Sequence, residues 1–258
     1  MTVTNKNIIE VKDLVKKYGK LTAVDGISFN VREGEIFGLL GPNGAGKTTT
    51  LEIMETLREK TSGEVFINGL SVDKDKDQNE IKKIIGIQLQ AAGYYPNLHL
   101  DELIELFAGL YNVDIDPDEL LKLVDLNEKK KSKFKELSGG QKQRFSICTT
   151  LINEPKIIFL DEPTTGLDPQ ARRNLWELIQ RIKSKGTTIM LTTHYMDEAE
   201  ILCDRVGIID NGKIITIDTP DNLIDELVRN GFERPKQVKL ASLEDVFINL
   251  TGHAIREN

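Results

Sequence analysis

Cysteine is almost missing from this 258-residue sequence: Cys148 and Cys203 stand far apart and form no CxxC pair. Disulfide staples are thereby excluded, and two free thiols suit a reducing compartment. No stretch of some eighteen apolar residues occurs, so nothing here is expected to span a membrane. The opening "MTVTNKNIIEVKD" lacks the apolar core of a signal peptide. Service to a membrane is therefore expected from the cytoplasmic side, through a partner. Positive charge is in deficit, with 34 Lys and Arg against 41 Asp and Glu and a net charge of −7. That balance argues against a general nucleic-acid coat, which needs clustered cations. It leaves nucleotide binding open, where a few residues suffice. Internal repeats, low-complexity segments and heptad runs are also missing. What remains is an ordinary globular composition, 39% hydrophobic and 29% charged. The length suits one elaborated α/β domain with an inserted subdomain and a core that needs no staples.

Hydrophobic patterning divides the chain. "NIIEVKDLVKKYG" and "GISFNVREGEIFGLLG" read as strands, the second ending in a continuous apolar run that feeds a glycine loop. "KTTTLEIMETLRE" reads as a helix, "GEVFING" as a strand closed by Asn68-Gly69, and "VDKDKDQNE" as a charged surface loop. A further strand is expected over Ile84 to Gln90. Next comes a helical stretch, roughly 91–152. In it Leu100, Leu103, Ile104, Phe107, Leu110 and Tyr111 share one helical face, and Asp116-Pro117-Asp118-Glu119 marks a helix start. "KIIFLDE" and "TTIMLTTH" return to buried strands around the helix "ARRNLWELIQRIKSKG", and Asn211-Gly212 turns a hairpin. The tail "SLEDVFINLTG" places Leu243, Val246, Phe247 and Leu250 on one helical face.

Two stretches carry chemistry. "GPNGAGKTT", Gly41-Pro42-Asn43-Gly44-Ala45-Gly46-Lys47-Thr48-Thr49, fits the phosphate-loop pattern, with a strand before it and a helix after it. Its glycines let successive N–H groups point at phosphate oxygens, Lys47 adds a cation, and the Thr48 hydroxyl is suited to Mg2+. Asp161, at the end of "IIFLD", is the matching magnesium acid, and Glu162 beside it is placed to polarise an attacking water. The second stretch, "LSGGQ", puts Ser138, Gly139, Gly140 and Gln141 at the mouth of a helix. It has the build of an anion site but no lysine.

A phosphate loop, "LSGGQ", an apolar run ending in Asp-Glu, "GLDP" and a lone histidine after a strand, in that order, resemble the ATP-binding cassette ATPases over about residues 7 to 250. The resemblance implies an α/β fold: a P-loop NTPase (RecA-like) core with an antiparallel β subdomain and an inserted α-helical subdomain. The nucleotide-binding domain is expected over 7–240, with the insertion about 91–152, followed by a short helical tail, 241–258. It further implies ATP and Mg2+ as ligands. Gln90 stands at the Q-loop position and would reach metal and water; Gln88 is the nearby alternative, and Gln90 is preferred because the family's glutamine ends the strand. Asp168 falls in the D-loop, where it can also cap the next helix. His194 matches the switch histidine, and Tyr18 the aromatic that stacks on adenine. Members work as head-to-tail pairs, so that Ser138 to Gln141 of one chain cover the ATP held by Lys47 of the other.

The resemblance also frames what the motor drives. A DNA-repair or chromosome ATPase would split its cassette with a long coiled coil, and a ribosome-associated factor usually carries two cassettes. The expectation is the ATPase subunit of a transporter; cargo selection belongs to a separately encoded permease, so the cargo is not written in this sequence. The tail and "DEPTTGLDPQARRNLWELI" look like exporters of the daunorubicin-resistance type, which move a drug, antibiotic or other small amphipathic compound, with an importer subunit or a non-drug exporter as the alternative. A homodimer, peripheral on the inner face of the cell membrane and without nucleic-acid partners, is expected.

Overall fold

The computed structural model describes residues 6–88 and 93–232. Contacts divide the chain into Met1–Asn222 and Leu223–Asn258. The second unit is represented among the described residues by the end of one helix and the residues just after it, so the architecture below is that of the first.

Its centre is a six-stranded sheet. β1 (Asn7–Tyr18) and β2 (Leu21–Arg32) precede its first strand, β3 (Ile36–Leu40). All five residues of β3 are buried, as an apolar run covered on both faces requires. After it come α1 (Lys47–Met54), β4 (Ser62–Ile67), β5 (Leu70–Ser71), α2 (Asp75–Ile84) and β6 (Ile85–Gln88). The helical insertion holds α3 (Leu100–Tyr111), α4 (Pro117–Leu123) and α5 (Gly139–Thr150). The chain then runs through β7 (Ile157–Asp161), α6 (Pro169–Ser184), β8 (Thr188–Thr193), α7 (Met196–Leu202), β9 (Arg205–Asp210), β10 (Lys213–Asp218) and α8 (Pro220–Arg229).

The central sheet has the order β10-β9-β3-β8-β7-β6. Its strands run parallel except β10, which returns from β9 through the Asn211-Gly212 hairpin. A second sheet, β2-β1-β4-β5, is antiparallel. The α/β core with an antiparallel β part and a helical insertion is as expected. Ligands in such sheets sit at the carboxyl ends of the parallel strands, and β3, β7 and β8 all deliver polar residues there. One apolar cluster, including Val24, Phe37, Leu51, Met54 and Phe159, joins the two sheets across α1. α5 lies close along β6: a Cβ on Gly86 would meet the Thr150 carbonyl oxygen at 2.2 Å.

Several local expectations hold, and four change. Asp116 caps α4, accepting from the Asp118 N–H at 2.9 Å, with Pro117 in the first turn. The charged stretch read as a loop is α2. Its acids Asp75 and Asp77 lie in the first turn and its bases Lys82 and Lys83 in the last, which suits the helix dipole. Ile81 is buried and anchors it, a single apolar contact that left little periodicity to see. α1 stops at Met54, short of the expected helix, because Thr56 turns left-handed at φ 61°. On α3 the face is narrower than its periodicity implies: Leu100, Leu103 and Ile104 are buried, but Leu110 is 75% and Tyr111 44% exposed. β6 starts at Ile85, since Ile84 closes α2. The expected tail helix and the boundary at 240 lie outside the described residues.

Candidate active site

The phosphate loop leaves β3 and enters α1 at Gly46, which sits at the cap position with φ 101°. A Cβ there would lie 2.4 Å from the Ala23 carbonyl oxygen, so both conformation and space call for glycine. No side chain caps α1. The first-turn N–H groups are thus left to whatever anion occupies the loop. Lys47 is buried, and its Nζ donates to the carbonyls of Gly41 (2.9 Å) and Pro42 (3.1 Å). The same Nζ lies 3.3 Å from Glu162 Oε1.

Asp161 ends β7, buried between β6 and β8. Thr48 Oγ1 donates to Asp161 Oδ2 at 3.0 Å, and Thr192 on β8 donates to Oδ1. A hydroxyl and a carboxylate held together below the loop form an all-oxygen set suited to a hard cation. Among the described residues no cluster of three or more His, Cys, Asp or Glu could hold a metal alone. Any such ion would share its shell with phosphate and water.

Glu162 follows with φ 48°, a strained value for a residue with a side chain. Its N–H donates to the Thr192 carbonyl at 3.1 Å. This turn takes the chain off the sheet with the carboxylate between two nitrogens: Lys47 Nζ at 3.3 Å from Oε1, and His194 Nδ1 at 3.1 Å from Oε2. The Nδ1–Oε2 approach is close but lacks hydrogen-bond alignment. Burial pushes the Glu162 carboxyl up, but the contacts with His194 and Lys47 outweigh it and hold the group below the ordinary carboxylate value. Glu162 is therefore ionised at neutral pH. His194 leaves β8 just before α7, with its ring centroid 4.1 Å from that of Tyr195.

Tyr18 ends β1, and the β2 turn brings it to the loop. It lines a cavity of about 400 Å³ together with Leu21, Ala23, Asn43, Gly44, Lys47, Thr48, Thr49 and Glu162. Lys16 Nζ and Arg58 Cζ lie 5.0 and 5.5 Å from its ring centroid. Neither cation lines the cavity, whereas Tyr18 does and is partly exposed. Larger cavities of about 520 Å³ exist, but they carry none of the phosphate loop.

Other expected residues are not gathered there. Ser138 caps α5 in a reciprocal box: its Oγ accepts from the Gln141 N–H at 3.3 Å, and Gln141 Oε1 accepts from the Ser138 N–H at 2.9 Å. Ser138 and Gly139 are exposed, and neither they nor Gly140 and Gln141 line the phosphate-loop cavity. Asp168 caps α6 through the Ala171 N–H at 2.8 Å and is likewise exposed. Gln90 lies outside the described residues. Gln88 is buried, and its Oε1 has no hydrogen-bond partner among them. Sequence reasoning missed Thr192; its signal was a polar residue at the end of the otherwise apolar "TIML". It also missed Arg172 and Glu198, whose contacts join helices distant in sequence and leave no local pattern.

The family model described as ABC transporter matches residues 24–165. The linearmycin resistance ATP-binding protein LnrL of Bacillus subtilis (strain 168) is 37% identical over 246 residues, 93% of this chain and 78% of the relative. The Nod factor export ATP-binding protein I of Ralstonia nicotianae is 39% identical over 84% of this chain and 68% of its own length. The probable multidrug ABC transporter ATP-binding protein YbhF of Escherichia coli (strain K12) is 40% identical over 84% of this chain, which spans only 38% of YbhF. Among solved structures, a dimeric ATP-binding cassette in a post-hydrolysis state with ADP and Pi is 28% identical at a TM-score of 0.73, covering 82% of this chain and 98% of that one.

Proposed function

The chain belongs to the ABC transporter family as an ATP-binding, ATP-hydrolysing cassette, and we propose that it powers export through a separately encoded permease as one of a pair. The observation that carries this reading is a divided site. Lys47, Thr48 and Glu162 line one cavity, with Asp161 held on Thr48 and His194 beside Glu162, while Ser138 at the mouth of α5 is exposed and does not line it. Relatives named for resistance and export support the direction. No helix among the described residues is long and apolar enough to cross a membrane. An apolar surface suits the permease: a cavity of about 520 Å³ lined by Leu57, Ile87, Tyr94, Phe107 and Tyr111, beside exposed Leu110.

In this mechanism the first-turn N–H groups of α1 and the Lys47 ammonium bind the phosphates, while the Tyr18 ring stacks on the base. Thr48 and Asp161 would hold Mg2+, with Gln90 as a further candidate ligand; the ion would supply charge neutralisation to the phosphates. Glu162, kept ionised, accepts a proton from the water that attacks the γ-phosphorus, and ADP leaves. His194 orients Glu162 and contacts the γ-phosphate. Ser138, Gly139, Gly140 and Gln141 of the second cassette close the site from the other side, with Asp168 at the contact.

A tagged Glu162→Gln chain, purified from detergent-solubilised membranes with ATP, tests the reading. Loss of the base should lower hydrolysis by about two to four orders of magnitude. An ATP-bound dimer should accumulate, and an integral membrane protein should come with it. In inverted vesicles carrying the wild-type pair, ATP should drive cargo inward. Normal turnover in the variant removes Glu162 from its role; ATP-driven uptake into cells makes the system an importer.

A further inference from the structure

His194 can steady Glu162 only if its own ring is held, and the structure shows what holds it. Arg172 lies in the opening turns of α6, where its N–H donates to the Asp168 carbonyl at 3.0 Å. Its guanidinium carbon sits 4.5 Å from the Tyr195 ring centroid. Its Nη1 donates to Asp197 Oδ2 at 3.3 Å. Tyr195 in turn packs on the His194 ring at 4.1 Å, with 38° between the planes. The imidazole is thus pressed between Tyr195 and the Glu162 carboxylate.

We propose that Arg172 is the positioning residue of His194: stacked on Tyr195 and paired with Asp197, it fixes the segment that carries the imidazole to Glu162. The proposal rests on the reading of Glu162 and His194 given above. Its physical basis is a planar cation over an aromatic face, an arrangement in which lysine is a poor substitute. Among the described residues Arg172 Nε is buried without a hydrogen-bond partner, so the stack on Tyr195 and the ion pair with Asp197 place the side chain more than a full set of hydrogen bonds does. The plainer alternative is that Arg172 only glues α6 to α7. The chain carries its own control for that. Its one tryptophan, Trp176, lies one turn further along α6 and donates from Nε1 to Glu198 on α7 at 3.2 Å in the buried interface. Trp176 emission therefore reports α6–α7 packing independently of turnover.

The test measures kcat, KM for ATP, ATP affinity and Trp176 emission in the full chain. Arg172→Ala should lower kcat about ten- to a hundredfold, the scale of a misplaced catalytic group, with ATP affinity and emission unchanged. Arg172→Lys, which keeps the ion pair but not the planar stack, should fall between. Tyr195→Leu keeps bulk while removing the ring between Arg172 and His194, so it should reproduce the kcat loss even if Arg172→Ala fails to fold. In a His194→Ala background, Arg172→Ala should cost nothing further. An equal loss in that background, a raised KM at constant kcat, or a shifted Trp176 emission in every variant overturns the proposal in favour of glue. An impaired His194→Ala beside a fully active Arg172→Ala overturns this inference alone. Normal hydrolysis by His194→Ala overturns the underlying reading as well.

Discussion

Glu55 shows how far one buried group can govern the chain without touching the chemistry. It follows α1, is buried, and lies three and seven residues beyond Glu52 and Thr48 on one side of the helix axis. Burial first, then the charges of Asp161 and Glu52, push its carboxyl from an ordinary 4.5 up to about 8. The folded chain thus keeps a proton that the unfolded chain releases. The stability this proton contributes is fully present below pH 4.5 and is lost as pH rises through about 8. Glu55→Gln keeps the shape and removes the titration. In nucleotide- and metal-free buffer, the variant should have a flatter profile of unfolding free energy from mildly acidic to mildly alkaline pH. At the alkaline end it should be the more stable chain by on the order of 1 kcal/mol or more. Parallel pH profiles for the two proteins, measured by urea unfolding, would rule the idea out. At this scale the sequence was readable where a motif fixes order and spacing, as for Lys47, Asp161, Glu162 and His194. It was silent on Glu55 and Arg172, because a residue's burial and its partners on another helix have no local signature.

Elements were legible where one physical cause dominates. β3, β7 and β8 are buried on both faces, so each reads as a continuous apolar run. Asp116 announces α4 because an acceptor before proline can do little else so well. α2 was hidden because charge pairing and one buried isoleucine hold it, while α3 showed a face without showing that Leu110 and Tyr111 lie uncovered. The junction of β3 and α1 carries a sharper consequence. Gly46→Ala should combine a left-handed backbone, costing about 1–2 kcal/mol, with a Cβ driven into the Ala23 carbonyl. Relief requires the loop to move off β2, which withdraws the α1 N–H groups and Lys47 from their common cavity. Binding of a fluorescent ATP analogue should be lost and the melting temperature lowered. Wild-type affinity in this variant would mean that the loop geometry is not what binds phosphate.

On the proposed reading, each chain presents one half of each of two shared sites. Lys47 is buried beside Glu162, whereas Ser138, the cap of α5, and Gly139, its first residue, are exposed and lie outside the phosphate-loop cavity. A helix mouth without a lysine binds a polyphosphate poorly alone, but it can complete a site whose cation and acids stand opposite. Two inactive chains separate the possibilities. Lys47→Ala removes the cation of the first half, and Ser138→Arg fills the second with a bulky side chain. Each homodimer then has two damaged sites and should be nearly inert. In a mixed dimer, one site combines both lesions, while the other joins intact Lys47 from one chain to intact Ser138 from its partner. If the halves meet across chains, mixing restores part of the ATPase activity and ATP-dependent dimer formation. If both halves serve one nucleotide within a chain, every chain in the mixture stays broken and nothing returns. Cross-linking shows whether mixed dimers have formed, so that a silent mixture with dimers present counts against the shared site. Wild-type chain that remains monomeric with bound ATP at high concentration, even alongside its permease, would contradict the divided-site mechanism outright.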